Sequence, residues 1–193
     1  MAKEIIGFYS GSFNPIHQGH LIIAEYILQH TPVDKIWFVL SPHNPLKEGR
    51  ELLNKSDRLR LVQMAIEDNE SFVASDVEFF LPKPSYTLNT LEFLSSNYPD
   101  KEFRLIIGQD NLQCFDSWHH YKKILSDYKI YVYPRLGQEE IKFFDQKNVI
   151  SVSAPIIEIS STYIRECIRD SKSIKYLVPQ RVIEEIEKKE YYL

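Results

Sequence analysis

His17 and His20, in the run Gly11-Ser12-Phe13-Asn14-Pro15-Ile16-His17-Gln18-Gly19-His20, are the side chains of this chain most suited to chemistry. The run follows a short apolar stretch, Ile5-Ile6-Gly7-Phe8-Tyr9, and leads into a helically periodic one, Leu21–Leu28. That order reads as strand, turn, helix. It sets two imidazoles at a helix mouth, where free backbone N–H groups and the positive dipole end favour an anion. Gly11 and Gly19 lack a Cβ, so backbone and ligand can approach closely there. A phosphate-bearing substrate is the natural occupant, with imidazoles steadying charge during phosphoryl-type chemistry. An H-x-x-H pair is also open to metal ligation and to a plain structural role, which is the commoner one for such a pair in isolation; the preceding strand, the Gly-bearing turn and Pro15 favour phosphate contact here. No third and fourth ligand accompanies the pair as a zinc set would require.

Four further constellations carry polar groups. Ser41-Pro42-His43-Asn44-Pro45-Leu46-Lys47 is a loop stiffened by two prolines, in which Lys47 can offer an ammonium to a phosphate. Its extension Ser41–Arg50 is a candidate mover. In Ser85-Tyr86-Thr87, either hydroxyl can cap the helix that follows, and the same groups can hold a polar ligand. Gly108-Gln109-Asp110 follows the apolar run Leu105-Ile106-Ile107, and an acidic residue there can accept from ribose hydroxyls. Downstream, Trp118-His119 offers an aromatic face to a heterocycle. Ile159-Ser160-Ser161-Thr162-Tyr163-Ile164-Arg165 follows a strand-like run, Ile156–Ile159. It opens a second helix N-terminus suited to phosphate, with Arg165 one turn inside as a planar donor. A plain Ser/Thr cap explains the hydroxyls there but not the arginine.

The elements that must position these groups are short apolar runs alternating with helical patterns. Strands are predicted over Ile5–Tyr9, Lys35–Leu40, Phe72–Val77, Phe103–Ile107, Lys129–Tyr133 and Val149–Val152. Helices are predicted over Gly19–His30, Asp57–Asn69, Leu88–Ser95, the neighbourhood of Ile124, Thr162–Arg169 and Arg181–Lys189. Ser56-Asp57 offers a cap to the second helix, and Pro179 suits the first turn of the last. Alternation of near-continuous apolar strands with helices implies an α/β fold. The expected architecture is a Rossmann-like, doubly wound parallel sheet with helices on both faces. Ligands of such sheets sit beyond the carboxyl ends of the strands, where strand order reverses. The polar constellations lie largely where that rule puts them: after strands one, two and four and in a late loop.

The chain has 193 residues, 44% hydrophobic and 26% charged, which suits one globular domain spanning 1–193. A formal net charge of −4 argues against a nucleic-acid polymer as partner, so a bound anion must be held by a local cluster. Cys114 and Cys167 are far apart and form no C-x-x-C, which argues against a disulfide scaffold or thiolate zinc site. The apolar run near the N-terminus is too short for a signal segment or membrane span, and a cytoplasmic setting is expected.

Taken in order, these pieces closely resemble the nucleotidyltransferase superfamily with the H-x-G-H signature. Within it they are similar to the bacterial nicotinate-nucleotide adenylyltransferases. G-x-F-x-P-x-H-x-G-H and S-S-T-x-I-R carry the superfamily resemblance. Ser85–Leu91, the His43–Lys47 loop, Ile106–Asp110 and Trp118-His119 narrow it. The resemblance implies transfer of an adenylyl group from ATP to nicotinate mononucleotide, giving nicotinate adenine dinucleotide and pyrophosphate, a step in NAD biosynthesis. It also implies Mg²⁺ held mainly by the ATP phosphates, with no dedicated metal cage. His17 and His20 would contact those phosphates, His20 as transition-state stabiliser, with Lys47 near the reacting groups. Gly11, Ser12, Phe13, Gly19 and Gly108 would complete the ATP site, Asp110 would bind a ribose, and Ser161, Thr162 and Arg165 would hold the β- and γ-phosphates. Thr87 and the backbone amides around Trp118-His119 would hold the pyridine carboxylate, with Trp118 stacked on the ring, and Ser85, Tyr86, Lys47 and Asp110 would complete the mononucleotide site. Arg135 sits in a segment whose residue order differs from the family's, so the resemblance assigns it no role. Ser10 and Asn14 also depart from the family pattern, and neither is expected to carry chemistry. Rival readings are a nicotinamide-mononucleotide or dual-specificity enzyme, superfamily relatives acting on phosphopantetheine or cytidine nucleotides, and a nucleotide-binding regulator without catalysis. A homo-oligomer is compatible with the sequence.

Overall fold

Six parallel strands form the centre of the computed structural model, which describes residues 2–42, 52–137 and 143–193. They are β1 (Glu4–Gly11), β2 (Lys35–Leu40), β3 (Phe72–Ser75), β4 (Lys101–Gly108), β5 (Ile130–Tyr133) and β6 (Val149–Ser151). Their order is β3-β2-β1-β4-β5-β6, and every neighbouring pair runs parallel. Strand order therefore reverses between β1 and β4, which opens a crevice at their carboxyl ends.

Side chains alternate across the sheet and feed two separate cores. Ile6 and Phe8 of β1, Leu105 and Ile107 of β4, and Ile130 and Val132 of β5 pack on one face. That face is covered by α3 (Thr87–Asn97) and α5 (Tyr121–Asp127), through Leu88, Leu91, Leu94 and Ile124. Tyr9, Ile36, Phe38, Ile106 and Tyr131 point the other way. They meet α1 (Gln18–His30), α2 (Lys55–Ile66), α6 (Ser161–Arg169) and α7 (Gln180–Lys189). Burial on both faces is why the strands read as continuous apolar runs. The doubly wound α/β architecture expected from the sequence is the one found.

Local differences have local causes. The run Ile156–Ile159 is not a strand, since residues 152–160 hold no regular structure and Ile156 is exposed. Beyond Ser75 the third strand turns into a single 3₁₀ turn, Val77–Phe79, rather than continuing to Val77. The helix after β2 is capped by Asn54, whose side chain accepts from the Ser56 N–H, so it starts two residues earlier than expected. Neither Ser85 nor Thr87 caps α3: Tyr86 holds that position with no side-chain bond. Pro179 stands one residue outside α7, at the cap itself. The short helix α4 (Gln109–Gln113) has no period long enough to be read from sequence.

Candidate active site

Two adjoining cavities open at the carboxyl ends of β1 and β4, and Tyr9, Ser10, Gly11, Asn111 and Tyr133 line both. The larger, of about 530 Å³, is walled by the turn after β1, by α1 and by the start of α6. The smaller, of about 250 Å³, is walled by Ser41, Glu78, Ser85, Tyr86, Trp118 and His119 among others. Five buried side-chain N or O atoms lack a hydrogen-bond partner among the described residues: His17 Nδ1, Arg135 Nε, Glu78 Oε2, Ser85 Oγ and Trp118 Nε1. All five residues line these two cavities. Buried polar groups are nearly always satisfied, so a concentration of exceptions marks where a polar ligand completes the protein.

The histidine pair is built by the helix end. His17 caps α1 in an extended conformation, and its N–H donates to His20 Nδ1 at 3.2 Å. That acceptor role leaves the neutral His20 ring with its proton on Nε2. The two rings stack with centroids 3.7 Å apart. A Cβ on Gly19 would stand 3.0 Å from His17 Nδ1, so this glycine makes room for the imidazole. His17 is nearly inaccessible. Burial, reinforced by the charge of Arg135, lowers its pKa to about 3 and keeps it neutral near pH 7. The backbone contributes less than the sequence suggests. The Gln18 N–H donates to the Leu177 carbonyl and the His20 N–H to the His17 carbonyl, so side chains and dipole, rather than a row of open amides, make this end suited to an anion.

The second helix is tied to the same turn. Ser160 caps α6 by accepting from the Tyr163 N–H. Ser161 Oγ donates to the Pro15 carbonyl at 2.9 Å, and Arg165 donates to the Asn14 carbonyl at 2.7 Å and to Thr162 Oγ1 at 3.3 Å. Asn14 Oδ1 accepts from the Leu53 N–H and from the Tyr192 hydroxyl, so this residue braces the turn.

Of the expected ATP residues, Gly11, Ser12, Phe13, His17, His20, Asp110, Ser161, Thr162 and Arg165 line the larger cavity. Gly19 lines a narrow extension of it, shared with Arg135. Gly108 lies on the smaller cavity, where a Cβ would come within 2.3 Å of Asp110 Oδ1. Of the expected mononucleotide residues, Ser85, Tyr86, Thr87, Trp118 and His119 line the smaller cavity, and His119 stacks on Tyr86 at 4.2 Å. Asp110 faces only the larger one. Lys47 and most of the Ser41–Arg50 loop lie outside the described residues.

Three site residues escaped the sequence reading. Arg135, left without a role, lies over the Tyr133 ring at 5.2 Å with Nε 3.8 Å from Asp110 Oδ1, inside the larger cavity. Its signal was position: an arginine in the loop just beyond a strand's carboxyl end. Glu78 is buried on the wall of the smaller cavity, and burial pushes its carboxyl up to about 7 against the Thr90 and Ser41 hydroxyls. Arg58 is buried beneath both loops, donating to the carbonyls of Ser12, Ser41, Pro42 and Leu53.

The shifts of His17 and Glu78 predict a specific stability profile. His17 binds fewer protons folded than unfolded between about pH 3 and its ordinary 6.5, so stability rises with pH there and is lost on acidification. Glu78 binds more protons folded than unfolded between its ordinary 4.5 and about 7, so stability falls as pH rises there. Where the windows overlap, from 4.5 to 6.5, the two slopes oppose each other at about 1.4 kcal/mol per pH unit each. Thermal unfolding of His17→Asn relative to the native chain is expected to show a shallower acid limb, and Glu78→Gln a shallower alkaline one. Unchanged limbs in both would contradict these assignments.

Residues 8–167 match the Cytidylyltransferase-like family. Fold and site together define a nucleotidyltransferase. A probable nicotinate-nucleotide adenylyltransferase of Cytophaga hutchinsonii is 49% identical over 97% of both chains. The probable nicotinate-nucleotide adenylyltransferase of Flavobacterium psychrophilum is 46% identical, covering 97% of this chain and 98% of its own. The chain belongs to this nicotinate-nucleotide adenylyltransferase family. Among solved structures, the fold is shared with Plasmodium falciparum nicotinic acid mononucleotide adenylyltransferase complexed with NaAD, at a TM-score of 0.83 and 18% identity over 98% of this chain and 97% of that one.

Proposed function

We propose that the chain joins ATP to nicotinate mononucleotide with the triphosphate in the larger cavity and the pyridine in the smaller. A phosphate oxygen of the mononucleotide attacks the α-phosphorus of ATP. The new P–O bond forms as the bond to the β-phosphate breaks, and pyrophosphate leaves. The carrying observation is the meeting of the two cavities at Tyr9–Gly11, one lined by histidines and arginines and the other by aromatic and hydroxyl groups. The attacking oxygen is already ionised, so alignment and charge stabilisation suffice and no proton need be removed from it.

In this reading the His20 Nε2–H donates to phosphate oxygens while the neutral His17 steadies its ring. Arg135 and the Arg165 guanidinium face the β- and γ-phosphates, with Ser161, Thr162 and the α6 dipole. Lys47 is assigned to the reacting phosphates. Asp110 accepts from a ribose, with Gly11, Ser12, Phe13, Gly19 and Gly108 shaping the walls. Ser85, Tyr86, Thr87, Trp118 and His119 hold the pyridine end. Among the described residues no cluster of three metal-ligating side chains occurs. We assign Mg²⁺ to the ATP phosphates, with Asp110 and Glu158 the carboxylates on the wall of the larger cavity; the ion would supply neutralisation of phosphate charge. No helix of the described residues is long and apolar enough to cross a membrane. We assign the chain a cytoplasmic setting from its enzyme family.

Pyrophosphate release should require ATP together with a pyridine mononucleotide, faster with the acid than the amide. No release with either would overturn the reading. Trp118→Ala should raise KM for the mononucleotide about tenfold, the scale of one lost aromatic stack, while KM for ATP holds. A collapse of ATP affinity instead would misplace the pyridine site.

A further inference from the structure

The acid and amide mononucleotides differ at one substituent on the pyridine ring. A carboxylate is negative and only accepts hydrogen bonds, whereas a carboxamide is neutral and also donates. Trp118 Nε1 and Ser85 Oγ, both buried and unpartnered on the smaller cavity, can donate to an oxygen of either substituent and so discriminate weakly. Glu78 is different. It is 3% exposed, Thr90 Oγ1 donates to its Oε1 at 3.1 Å, and its Oε2 has no partner on the wall of the same cavity. We propose that Glu78 sets the choice between the two substrates: as a neutral acid it donates from Oε2 to the pyridine carboxylate, and as a carboxylate it repels that group and accepts from a carboxamide instead. The proposal rests on the pyridine occupying this cavity.

The surroundings permit both states. Burial favours the neutral acid, and Thr90 and Ser41 favour the ion. The other titratable side chains on the cavity wall are Tyr9, Tyr86, Tyr133 and His119, and no Lys, Arg or Asp among the described residues lines it. On the elements packed around Glu78, Asp76 precedes its own turn. Lys35 begins β2 paired with Glu4, and Glu92 on α3 pairs with Lys123. Neutral Glu78 beside a bound carboxylate avoids two like charges on one buried wall.

The test is kcat/KM for both mononucleotides between pH 6 and 8.5. Taking their ratio cancels every effect on ATP, on His20 and on the substrate phosphate, which both reactions share. The acid-to-amide ratio is expected to fall about tenfold or more across that range, since one ionisation changes it by at most tenfold per pH unit. In Glu78→Gln, which keeps the acceptor for Thr90 and carries a permanent N–H donor, the ratio should stay high and level. A level ratio in the native chain, or an equal slope in Glu78→Gln, overturns the proposal. A measurement on the native chain covers the case in which Glu78→Gln does not fold. Calorimetry in two buffers of different ionisation heat, at pH 7.5, should show more proton uptake on binding nicotinate mononucleotide than on binding the amide. Equal uptake overturns the proposal as well. Pyrophosphate release with neither substrate at any pH overturns the functional reading itself, a result distinct from a level ratio.

Discussion

His20→Ala is expected to lower kcat by about 10²–10³, with a much smaller effect on KM for ATP. That range is the cost of losing one pre-aimed donor to a transition state. The ring is aimed by three independent contacts: the His17 N–H on Nδ1, the stacked His17 imidazole, and the Phe13 ring at 5.0 Å. Nothing need reorganise as charge builds on the phosphates, and that is what gives such a donor its leverage. An unchanged kcat would remove His20 from the reaction. A drop accompanied by unfolding would show only that the ring holds the turn, so the melting temperature is measured beside the rate.

Arg58→Met is expected to destabilise the fold by about 2–4 kcal/mol, the scale of leaving several buried carbonyls short of a donor. The guanidinium is 1% exposed and joins the carbonyls of Ser12, Ser41, Pro42 and Leu53. Methionine fills the volume but leaves those carbonyls short of a donor, at about 1–3 kcal/mol each before water and relaxation recover part. Arg58→Lys should fail nearly as badly, because a point ammonium cannot reproduce a planar fork spread over two loops. Urea unfolding would show a lower midpoint at unchanged slope. A loss under 1 kcal/mol would mean the loops hold themselves.

The sheet was legible because its strands are buried on both faces and read as unbroken apolar runs. The helices were legible from their stripes, and the polar site from strand ends, where the crevice of a doubly wound sheet must lie. What escaped is what burial hides. Arg58 lies at i, i+3, i+4 and i+7 with Leu61, Val62 and Ala65, on the inward face of α2, yet an arginine beside Asp57 and Arg60 reads as a surface charge. Glu78 belongs to a single 3₁₀ turn too short for any period. Ile156–Ile159 looked like a strand because apolar content was mistaken for pairing. Arg135 carries its signal in the strand end it follows rather than in the order of its neighbouring residues.

The turn bearing the histidines is moored by residues far away along the chain. Ser161, Arg165 and Tyr192 reach it across 146, 151 and 178 positions. The entropy of closing a loop grows only slowly with its length, so such distant moorings are tolerable, but each loop must close before its bond can form. Until the segment from Ser161 onward has docked, the turn lacks these three bonds, however well the first strands have paired. The shape of the turn thus doubles as a report that distant parts of the polypeptide have found each other.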